Sequence, residues 1–418
     1  MSEVDQYNEA AATVETARMV VGLLGDTHLS TADDLPRLLA ENAAAIGVES
    51  LVIYLVDYEQ TDLIPVPGPH TIDRSVLSIE GTLGGRAFAQ MSVQDVEADL
   101  PDRRRLWMPL LDGTERLGVL EFVVPGKPDG VEPWLLAACE RYGHLAAQAV
   151  VGKSMYGDLF ERVRRRQPMS VAAELQWKLL PPLVFATEGL VLAGLLEPAY
   201  DVGGDSFDYA VNGSTAHVAV FDAMGHGLGA AVAAAVAVSA YRNARRRSLD
   251  LAGTYATVDA AVAAEYGGAR YSTALLARLD MNTGILSWIS AGHPPPLLLR
   301  DGRSIKTLDL PASTPLGWQL TSDPPHVGSE QLQPRDRVLL YTDGLTEART
   351  ADGDFFTTER LAEFLERQSA AGLPTPETLR RLRHAVLEYQ AGALQDDATA
   401  LLVEWRRGTE RNLVPETV

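Results

Sequence analysis

Apolar residues in the first third of the chain recur first with a helical period and then with a strand-like one. Helical spacing occurs twice, at Val14, Ala17, Val21 and Leu24 and again at Leu35, Leu38, Leu39 and Ala43. Short apolar runs then predict three strands: Ser50–Val56, Arg105–Leu111 and Gly118–Val124. A short helix over Arg86–Gln90, introduced by Gly84-Gly85, and a longer helix after Pro133 follow the same logic. These elements predict a small α/β domain over residues 15–150.

Residues 151–183 have the pattern of a helical linker. A basic run, Arg162–Arg166, is followed by an amphipathic stretch, Val171–Leu180, which a pair of prolines ends. One stripe of this helix carries Val171, Leu175 and Leu179. The stripe fits two interpretations, a solvated spacer helix or a helix that pairs with its twin in a homodimer. The run of heptads is too short to decide between them.

The third region, residues 189–405, alternates short strands with turns and includes one long alanine-rich helix, Leu228–Arg246. Its strands and helices are consistent with a layered domain that has its own core. The chain as a whole is therefore predicted to be an α+β protein with an N-terminal α/β domain, a helical linker and a C-terminal domain.

The composition narrows the classes of function. A net charge of −20 argues against nucleic-acid binding, because phosphate backbones require a basic surface. The short basic runs at Arg103–Arg105, Arg162–Arg166 and Arg245–Arg247 are typical of solvated helix faces. The single Cys139 fits a reducing cytosol, and neither a signal peptide nor an apolar run of membrane-spanning length is recognised. We expect a cytoplasmic protein that binds neither membrane nor nucleic acid.

Four acidic segments of the third region share one pattern, at residues 201–208, 217–227, 337–347 and 395–405. In each, an aspartate lies where a strand begins or ends, next to a glycine or a second acid. The apolar residues before Asp222 and Asp343 belong inside a sheet, so both carboxylates emerge from rigid elements. Converging carboxylates repel one another, and hard divalent cations relieve that repulsion. All-oxygen ligands suit Mg²⁺ or Mn²⁺, and no Cys/His cluster with zinc spacing is present.

These segments resemble the PPM-type metal-dependent protein serine/threonine phosphatases, and most of all their bacterial SpoIIE/RsbU-like branch. The resemblance covers nearly all of residues 189–405. Five motifs carry it in order: Val202–Asp205 (VGGD), Phe221–Gly227 (FDAMGHG), Ser290–Pro296 (SAGHPPP), Tyr341–Leu345 (YTDGL) and Asp396–Thr399 (DDAT). It implies an αββα sandwich, in which two antiparallel sheets lie between helices.

Carried over by position, the resemblance also implies a centre of two Mn²⁺ or Mg²⁺ ions. The implied ligands are Asp205, Asp222, Asp343 and Asp396, together with the backbone carbonyl of Ala223. Many family members have glycine where this chain has Ala223, which puts the metal affinity in question. In such a centre a water activated between two ions attacks phosphorus directly, so no covalent intermediate is required.

Two histidines accompany these motifs. His226 is either a general acid that protonates the leaving serine oxygen or a structural residue of the turn. Its spacing from Asp222 differs from the eukaryotic pattern, which favours the structural role. His293, which precedes three prolines, is interpreted as structural.

The residue that would hold the substrate phosphate is open. The resemblance implies a branch without the arginine that does so in eukaryotic relatives. Arg242, Arg245 and Arg270 are candidates, although each is better explained as a surface charge. Asp208 is either a partner of Asp205 or the cap of a local turn.

The N-terminal region resembles a GAF domain, a sensor fold built on a central antiparallel sheet. Four segments carry the resemblance: Ala45–Tyr54, Gly81–Gly85, Trp107–Leu110 and Gly118–Phe122. It implies either a pocket for a small-molecule ligand or a domain that only dimerises. The pocket region offers no cysteine for attaching a bilin.

Together the patterns predict metal-dependent hydrolysis of phosphoserine or phosphothreonine on a partner protein, regulated by the N-terminal sensor. By resemblance, the partner is a phosphorylated anti-sigma-factor antagonist. Two alternatives stay open: an inactive phosphatase-fold scaffold that binds a partner, and a hydrolase of small phosphoesters with the same metal site.

Overall fold

The computed structural model describes residues 17–201, 203–300, 302, 304–319, 323–390 and 396–406. Val14, Val202 and Gln395, which belong to the sequence patterns above, lie outside these ranges. The chain divides into two compact units between Arg166 and Gln167, within the segment that the sequence predicts as a linker. Within the described ranges, every helix is too short or too polar to span a membrane.

The first unit contains one antiparallel sheet with helices on both faces. Its helices are α1 (17–28), α2 (Leu35–Ala43), α3 (Leu83–Gln90), α4 (Pro133–Ser154) and α5 (Leu159–Arg164), with a 3-10 turn at Ala44–Ile46. Its strands are β1 (Ser50–Val56), β2 (Asp62–Pro65), β3 (Leu77–Ser78), β4 (Gln94–Glu97), β5 (Arg103–Asp112) and β6 (Glu115–Pro125). The strand order is β3-β2-β1-β6-β5-β4. This arrangement confirms the predicted N-terminal α/β region.

The three predicted strands, β1, β5 and β6, are the longest of this sheet. β1 has the predicted bounds, and β5 and β6 extend further at both ends. The sequence analysis missed β2, β3 and β4, which have two to four residues each. Such short strands offer too few positions for an alternating pattern to stand out.

The predicted short helix is present as α3, and it begins at Leu83, three residues before the predicted Arg86, so both Gly84 and Gly85 lie inside it. The helix is preceded by the cap residue Thr82, whose hydroxyl accepts a hydrogen bond from the Gly85 amide at 3.0 Å. A Cβ atom at Gly85 would lie 1.9 Å from the carbonyl oxygen of Ile79. The glycine therefore permits a close backbone approach and does not mark a turn.

The second unit contains two antiparallel sheets. The first has the order β15-β12-β11-β10-β9 and the second the order β14-β13-β16-β17-β8-β7. The strands are β7 (Val184–Thr187), β8 (Leu190–Glu197), β9 (Asp205–Asn212), β10 (Thr215–Ala223), β11 (Ser272–Asp280), β12 (Ile285–Ala291), β13 (Leu297–Arg300), β14 (Ser304–Thr307), β15 (Gly328–Gln331), β16 (Arg337–Tyr341) and β17 (Ala398–Trp405). The helices are α6 (Val171–Leu179), α7 (Leu228–Arg246), α8 (Leu251–Tyr266), α9 (Asp343–Thr346), α10 (Thr357–Ala370) and α11 (Thr375–Tyr389).

Three hydrophobic clusters hold these layers together. The central cluster lies between the sheets and includes Phe207 of the first sheet and Leu401 of the second. A second cluster packs α7 and α8 onto the outer face of the first sheet, around Phe221 and Tyr241. A third packs α10 and α11 onto the second sheet. The layers therefore run helix, sheet, sheet, helix, and the predicted antiparallel sheets flanked by helices are confirmed.

Helix α6 buries a different face from the one that the sequence analysis singled out. Its buried residues are Ala172, Ala173 and Gln176. Of the predicted stripe, Val171 is 69% exposed, whereas Leu175 and Leu179 are partly buried. Much of the stripe is thus already covered within the second unit, and only Val171 offers a largely free apolar surface.

Candidate metal centre

Asp205 and Asp222 lie side by side at one end of the first sheet. In the antiparallel register of β9 and β10 they are directly opposite one another, and Thr273 of β11 is opposite Asp222 on the other side. Opposed residues point to the same face of a sheet, with Cβ atoms about 5 Å apart. The register therefore places the two carboxylates next to one another at one end of the sandwich.

The second sheet brings its acids to the same place. Asp343 is the first residue of α9, immediately after β16 and Thr342, and Asp396 and Asp397 immediately precede β17. A hydrogen bond joins the two sheets here, because the Thr342 hydroxyl donates to Asp205 Oδ2 at 2.7 Å. The predicted ligands thus come from the ends of four strands that meet across the core.

The carboxylates perturb one another strongly. Burial, followed by the charges of Asp343, Asp396 and Asp397, raises the pKa of Asp222 to about 7. Burial and the charges of Asp222 and Asp397 raise the pKa of Asp205 well above its usual range. Burial and the charges of Glu347 and Asp396 also raise the pKa of Asp343. This mutual repulsion is the electrostatic condition that a bound divalent cation would relieve.

The donor set suits a hard cation, although the ligand shell is not closed. Among the described residues, no three His, Cys, Asp or Glu side chains converge tightly enough to enclose one ion. The carboxylates are near enough to raise each other's pKa, and their oxygens are the ligands that Mg²⁺ and Mn²⁺ prefer. Carboxylate side chains can rotate onto an ion while the strands that carry them stay fixed, so the open arrangement is compatible with a bound cation.

Backbone packing explains the Gly-Gly pair of the first motif. The Ala223 amide donates to the Gly204 carbonyl at 3.1 Å. A Cβ atom at Gly204 would lie 2.0 Å from the carbonyl oxygen of Ala223, which the resemblance implies is a metal ligand. Gly204 therefore lets the chain before β9 pass directly over that carbonyl.

Asp397 has a role that the sequence analysis missed. Its Oδ2 accepts hydrogen bonds from the amides of Gly203 at 2.7 Å and Asp205 at 3.4 Å. Asp396, the predicted ligand, is exposed, and its Oδ1 accepts the Asp397 amide at 2.9 Å. Asp397 thus fixes the loop that presents Asp205. The paired aspartates in the sequence were a signal for this division of roles.

Thr342 is a second residue that the sequence analysis missed. It is fully buried, and its hydroxyl donates a hydrogen bond to Asp205 Oδ2. The Thr342 hydroxyl oxygen also accepts a hydrogen bond from the Thr399 amide at 2.9 Å. This pair of bonds sets the orientation of the Asp205 carboxylate. In the sequence, the only signal that Thr342 belongs to the site is its position directly before Asp343.

Replacement of Thr342 by valine should weaken Mn²⁺ binding by about 10- to 100-fold, the usual effect of losing a partner of a metal ligand. Valine has a similar size, so packing is kept while the hydrogen bond to Asp205 is lost. Calorimetric titration with Mn²⁺ measures the affinity. Thr342→Ser keeps the hydroxyl and should stay close to wild type. Equal affinities for all three proteins would show that Thr342 does not orient a ligand.

The two histidines differ in burial. His293 is 5% exposed, its Nδ1 lies 2.8 Å from the Thr273 hydroxyl, and burial lowers its pKa to about 4. It is therefore neutral at pH 7 and supports Thr273 beside Asp222, in agreement with the structural interpretation. His226 is exposed, on the loop between Ala223 and α7.

Neither interpretation of Asp208 was right. Asp205 and Asp208 are three positions apart on β9, so their side chains point to opposite faces. Asp208 is 1% exposed and accepts hydrogen bonds from Arg242 at 2.6 and 3.0 Å and from Arg245 at 2.6 Å. These two arginines of α7 therefore pair with a buried acid. The interpretation of Arg245 as a surface charge was also wrong, because its side chain is 9% exposed.

Residues 212–406 match the family model of stage II sporulation protein E (SpoIIE). Asp222, Ala223, Asp343 and Asp396 lie inside the matched segment, and Asp205 precedes it. The chain is 28% identical over 146 residues to Protein IcfG of Synechocystis sp., covering 35% of this chain and 22% of IcfG. It is 23% identical over 239 residues to the phosphoserine phosphatase RsbU of Bacillus subtilis, covering 57% of this chain and 70% of RsbU. The alignment thus spans less than a quarter of IcfG.

One similar solved structure contains the RsbU and RsbW domains of Rv1364c from Mycobacterium tuberculosis. It aligns with a TM-score of 0.47 and 26% identity, over 53% of this chain and 63% of that chain.

Proposed function

We propose that this chain, whose residues 212–406 are a SpoIIE-family domain of the PPM phosphatase type, hydrolyses phosphoserine or phosphothreonine on a partner protein. The observation that carries the proposal is the meeting of Asp205, Asp222, Asp343 and Asp396 at one end of the two sheets. Their shared repulsion and all-oxygen chemistry fit a centre for Mn²⁺ or Mg²⁺.

In this proposal the four carboxylates and the Ala223 carbonyl hold the metal, with two ions expected. Bound there, the ions would supply an activated water nucleophile and positive charge for the phosphoryl oxygens. Thr342 orients the Asp205 carboxylate, and Asp397 fixes the backbone that carries it. One of these supports is a buried hydrogen bond and the other is partly buried, and both connect segments at the ends of different strands, so the ligand positions are set before substrate arrives.

We retain His226 as a proposed proton donor to the leaving hydroxyl. The residue lies on an exposed loop, four positions after Asp222 and before the first turn of α7. The structural interpretation of His226 remains the alternative.

The surface beside the centre favours a protein as substrate. Met224, on the loop before α7, is 47% exposed. Leu228 is 51% exposed and Val232 41%, and these two lie one turn apart on the same side of α7. Trp318, which stacks on Tyr271 with ring centroids 4.9 Å apart, is 41% exposed. Exposed apolar groups of this size are typical of protein interaction sites. By resemblance to the partner-switching branch, we propose a phosphorylated anti-sigma-factor antagonist as the partner.

For the first unit we propose a GAF-like sensor role that regulates the phosphatase. One face of its sheet packs against α2 and α4 and buries Tyr142, whose hydroxyl donates to the Leu39 carbonyl at 2.5 Å. The other face holds the cluster of Tyr54, Phe88 and Trp107 under α3. A small-molecule ligand is proposed for this second face, and the alternative for the first unit is that it only dimerises. A homodimer through α6, which belongs to the second unit, is a separate proposal.

Hydrolysis assays with a phosphoserine protein and p-nitrophenyl phosphate test the function. We expect turnover with Mn²⁺ or Mg²⁺, no turnover in EDTA, and a higher kcat/KM for the protein substrate. Preference for the small ester would favour the small-phosphoester hydrolase. If neither the full chain nor the isolated second unit, Gln167–Glu410, turns over any substrate with either metal, the inactive scaffold is the correct alternative.

A further inference from the structure

We infer that Arg270 is the side chain that binds the phosphoryl group of the substrate, an inference that rests on the proposed phosphatase function. Of the three candidate arginines, Arg242 and Arg245 are engaged with the buried Asp208. Arg270 is instead placed against the loop that follows the metal-ligand strand β10.

The register of the first sheet fixes this position. Ala223, at the end of β10, is paired with Ser272, at the start of β11. The pairing continues for one residue, because the Met224 amide donates to the Tyr271 carbonyl at 3.0 Å. Arg270 is the next residue outward, and its Nη1 donates to the Met224 carbonyl at 3.5 Å. The guanidinium therefore contacts the carbonyl of Met224, the residue that follows Ala223 and lies two positions after Asp222.

The other end of the loop accommodates the same guanidinium. A Cβ atom at Gly229, in the first turn of α7, would lie 2.9 Å from Arg270 Nη2 and 3.3 Å from its Cζ. A side chain at this position would displace the arginine. The sequence Gly227-Leu-Gly229 thus leaves a space beside the metal-centre loop, and the planar guanidinium fills it.

Arg270 also has hydrogen-bonding capacity that the described contacts leave unused. Across the described residues, its one hydrogen bond is the long contact to Met224, and it pairs with no carboxylate. Other arginines of the second unit are held by acids: Arg242 and Arg245 by Asp208, Arg300 by Asp336, Arg337 by Glu404, and Arg380 by Glu377. The side chain of Arg270 is only partly buried, so a ligand can reach it.

The chemistry of the substrate suits such a group. A phosphomonoester dianion must approach five aspartates in a protein with a net charge of −20. A guanidinium presents a planar fork of donors that matches two phosphate oxygens, and its charge persists at any working pH. It can therefore fix the orientation of the phosphoryl group beside the residues that would hold the metal.

Replacement of Arg270 by alanine should raise KM for the phosphoprotein and the inhibition constant of inorganic phosphate by about 10- to 100-fold, the effect of losing a hydrogen bond to a charged group. Arg270→Lys should recover part of both losses. Mn²⁺ affinity and the melting temperature should stay at wild-type values. Arg246→Ala is the matched control, because it removes an equal charge from an exposed site about 27 Å away at the other end of α7.

Calorimetric binding of inorganic phosphate to the Mn²⁺-loaded protein separates this inference from the proposed function. If the wild type hydrolyses phosphoprotein and Arg270→Ala matches Arg246→Ala in KM and in phosphate binding, the inference about Arg270 is wrong and the phosphatase function stands. If the wild type binds phosphate but never hydrolyses, the phosphatase function fails. In that case, weaker phosphate binding by Arg270→Ala than by the wild type would still show that Arg270 belongs to an anion-binding site.

Discussion

Replacing Asp222 by asparagine should abolish hydrolysis while the fold is retained. The substitution removes one charged ligand from the centre of the acidic cluster. Loss of a residue that only hydrogen-bonds to a metal ligand lowers activity by up to roughly 100-fold, so the decrease in kcat/KM should be larger than that. Asp343→Asn should cause a similar loss, because Asp343 is the corresponding predicted ligand from the second sheet. Turnover of phosphoprotein with saturating Mn²⁺ measures the effect, and circular dichroism confirms the fold.

The stability of the metal-free protein supplies an independent check on the same substitution. Burial and three neighbouring acids raise the pKa of Asp222 to about 7, so its ionised form is disfavoured in the folded protein. Asparagine keeps the shape and removes the charge. In EDTA above pH 7, Asp222→Asn should therefore melt at the same temperature as the wild type or higher. Full activity in both Asp→Asn variants would refute the assignment of the metal ligands.

A matched control lies on the same sheet. Asp280 is at the far end of β11, where its carboxylate accepts the amides of Asn282 and Thr283 in a turn. Asp280→Asn removes an equal charge from the end of the sandwich opposite Asp222. It should leave hydrolysis unchanged, so a decrease as large as that of Asp222→Asn would indicate a general charge effect.

The sequence was sufficient for those parts of the site that have a local signature. Asp222 and Asp343 follow apolar runs that form β10 and β16, and α7 has the predicted bounds. Each of these features depends on residues within one turn or one strand. The ends of these strands could be located from the local sequence alone, without knowing which strands pair with each other in the sheets.

The supports of the site depend on contacts between distant segments, which one sequence does not encode locally. Thr342 lies 137 residues from Asp205, and Asp397 lies 194 residues from Gly203. Nothing near either residue shows that such a partner exists. Helices α8, α10 and α11 were also missed.

The error over Asp208 shows where a local pattern misleads. Asp205 and Asp208 occur in one short motif, which suggested a shared task. The pleat of β9 separates them, because residues an odd number of positions apart face opposite sides of a sheet. Asp205 faces the metal centre, and Asp208 faces Arg242 and Arg245 under α7.

Replacing Asp208 by asparagine should accordingly destabilise the fold by about 3–5 kcal/mol, the usual effect of removing one partner from a buried ion pair. Asp208 is 1% exposed, and its two arginines would keep their charges without a carboxylate between them. A loss of this size should lower the melting temperature by about 10 °C. Tryptophan fluorescence can follow it, because Trp177, Trp288, Trp318 and Trp405 lie in the second unit.

The control for Asp208 is Lys306→Gln, which breaks an ion pair on the surface of the same unit. Lys306 lies 2.7 Å from Glu330 and its side chain is 59% exposed, so the change should be within about 0.5 kcal/mol. If Asp208→Asn melted at the same temperature as this control, the ion pairs of Asp208 with Arg242 and Arg245 would contribute no net stability. The expected outcome instead separates two acids of one motif: Asp205 is required for metal binding, and Asp208 fastens α7, the helix that begins beside the metal centre, to the sheet.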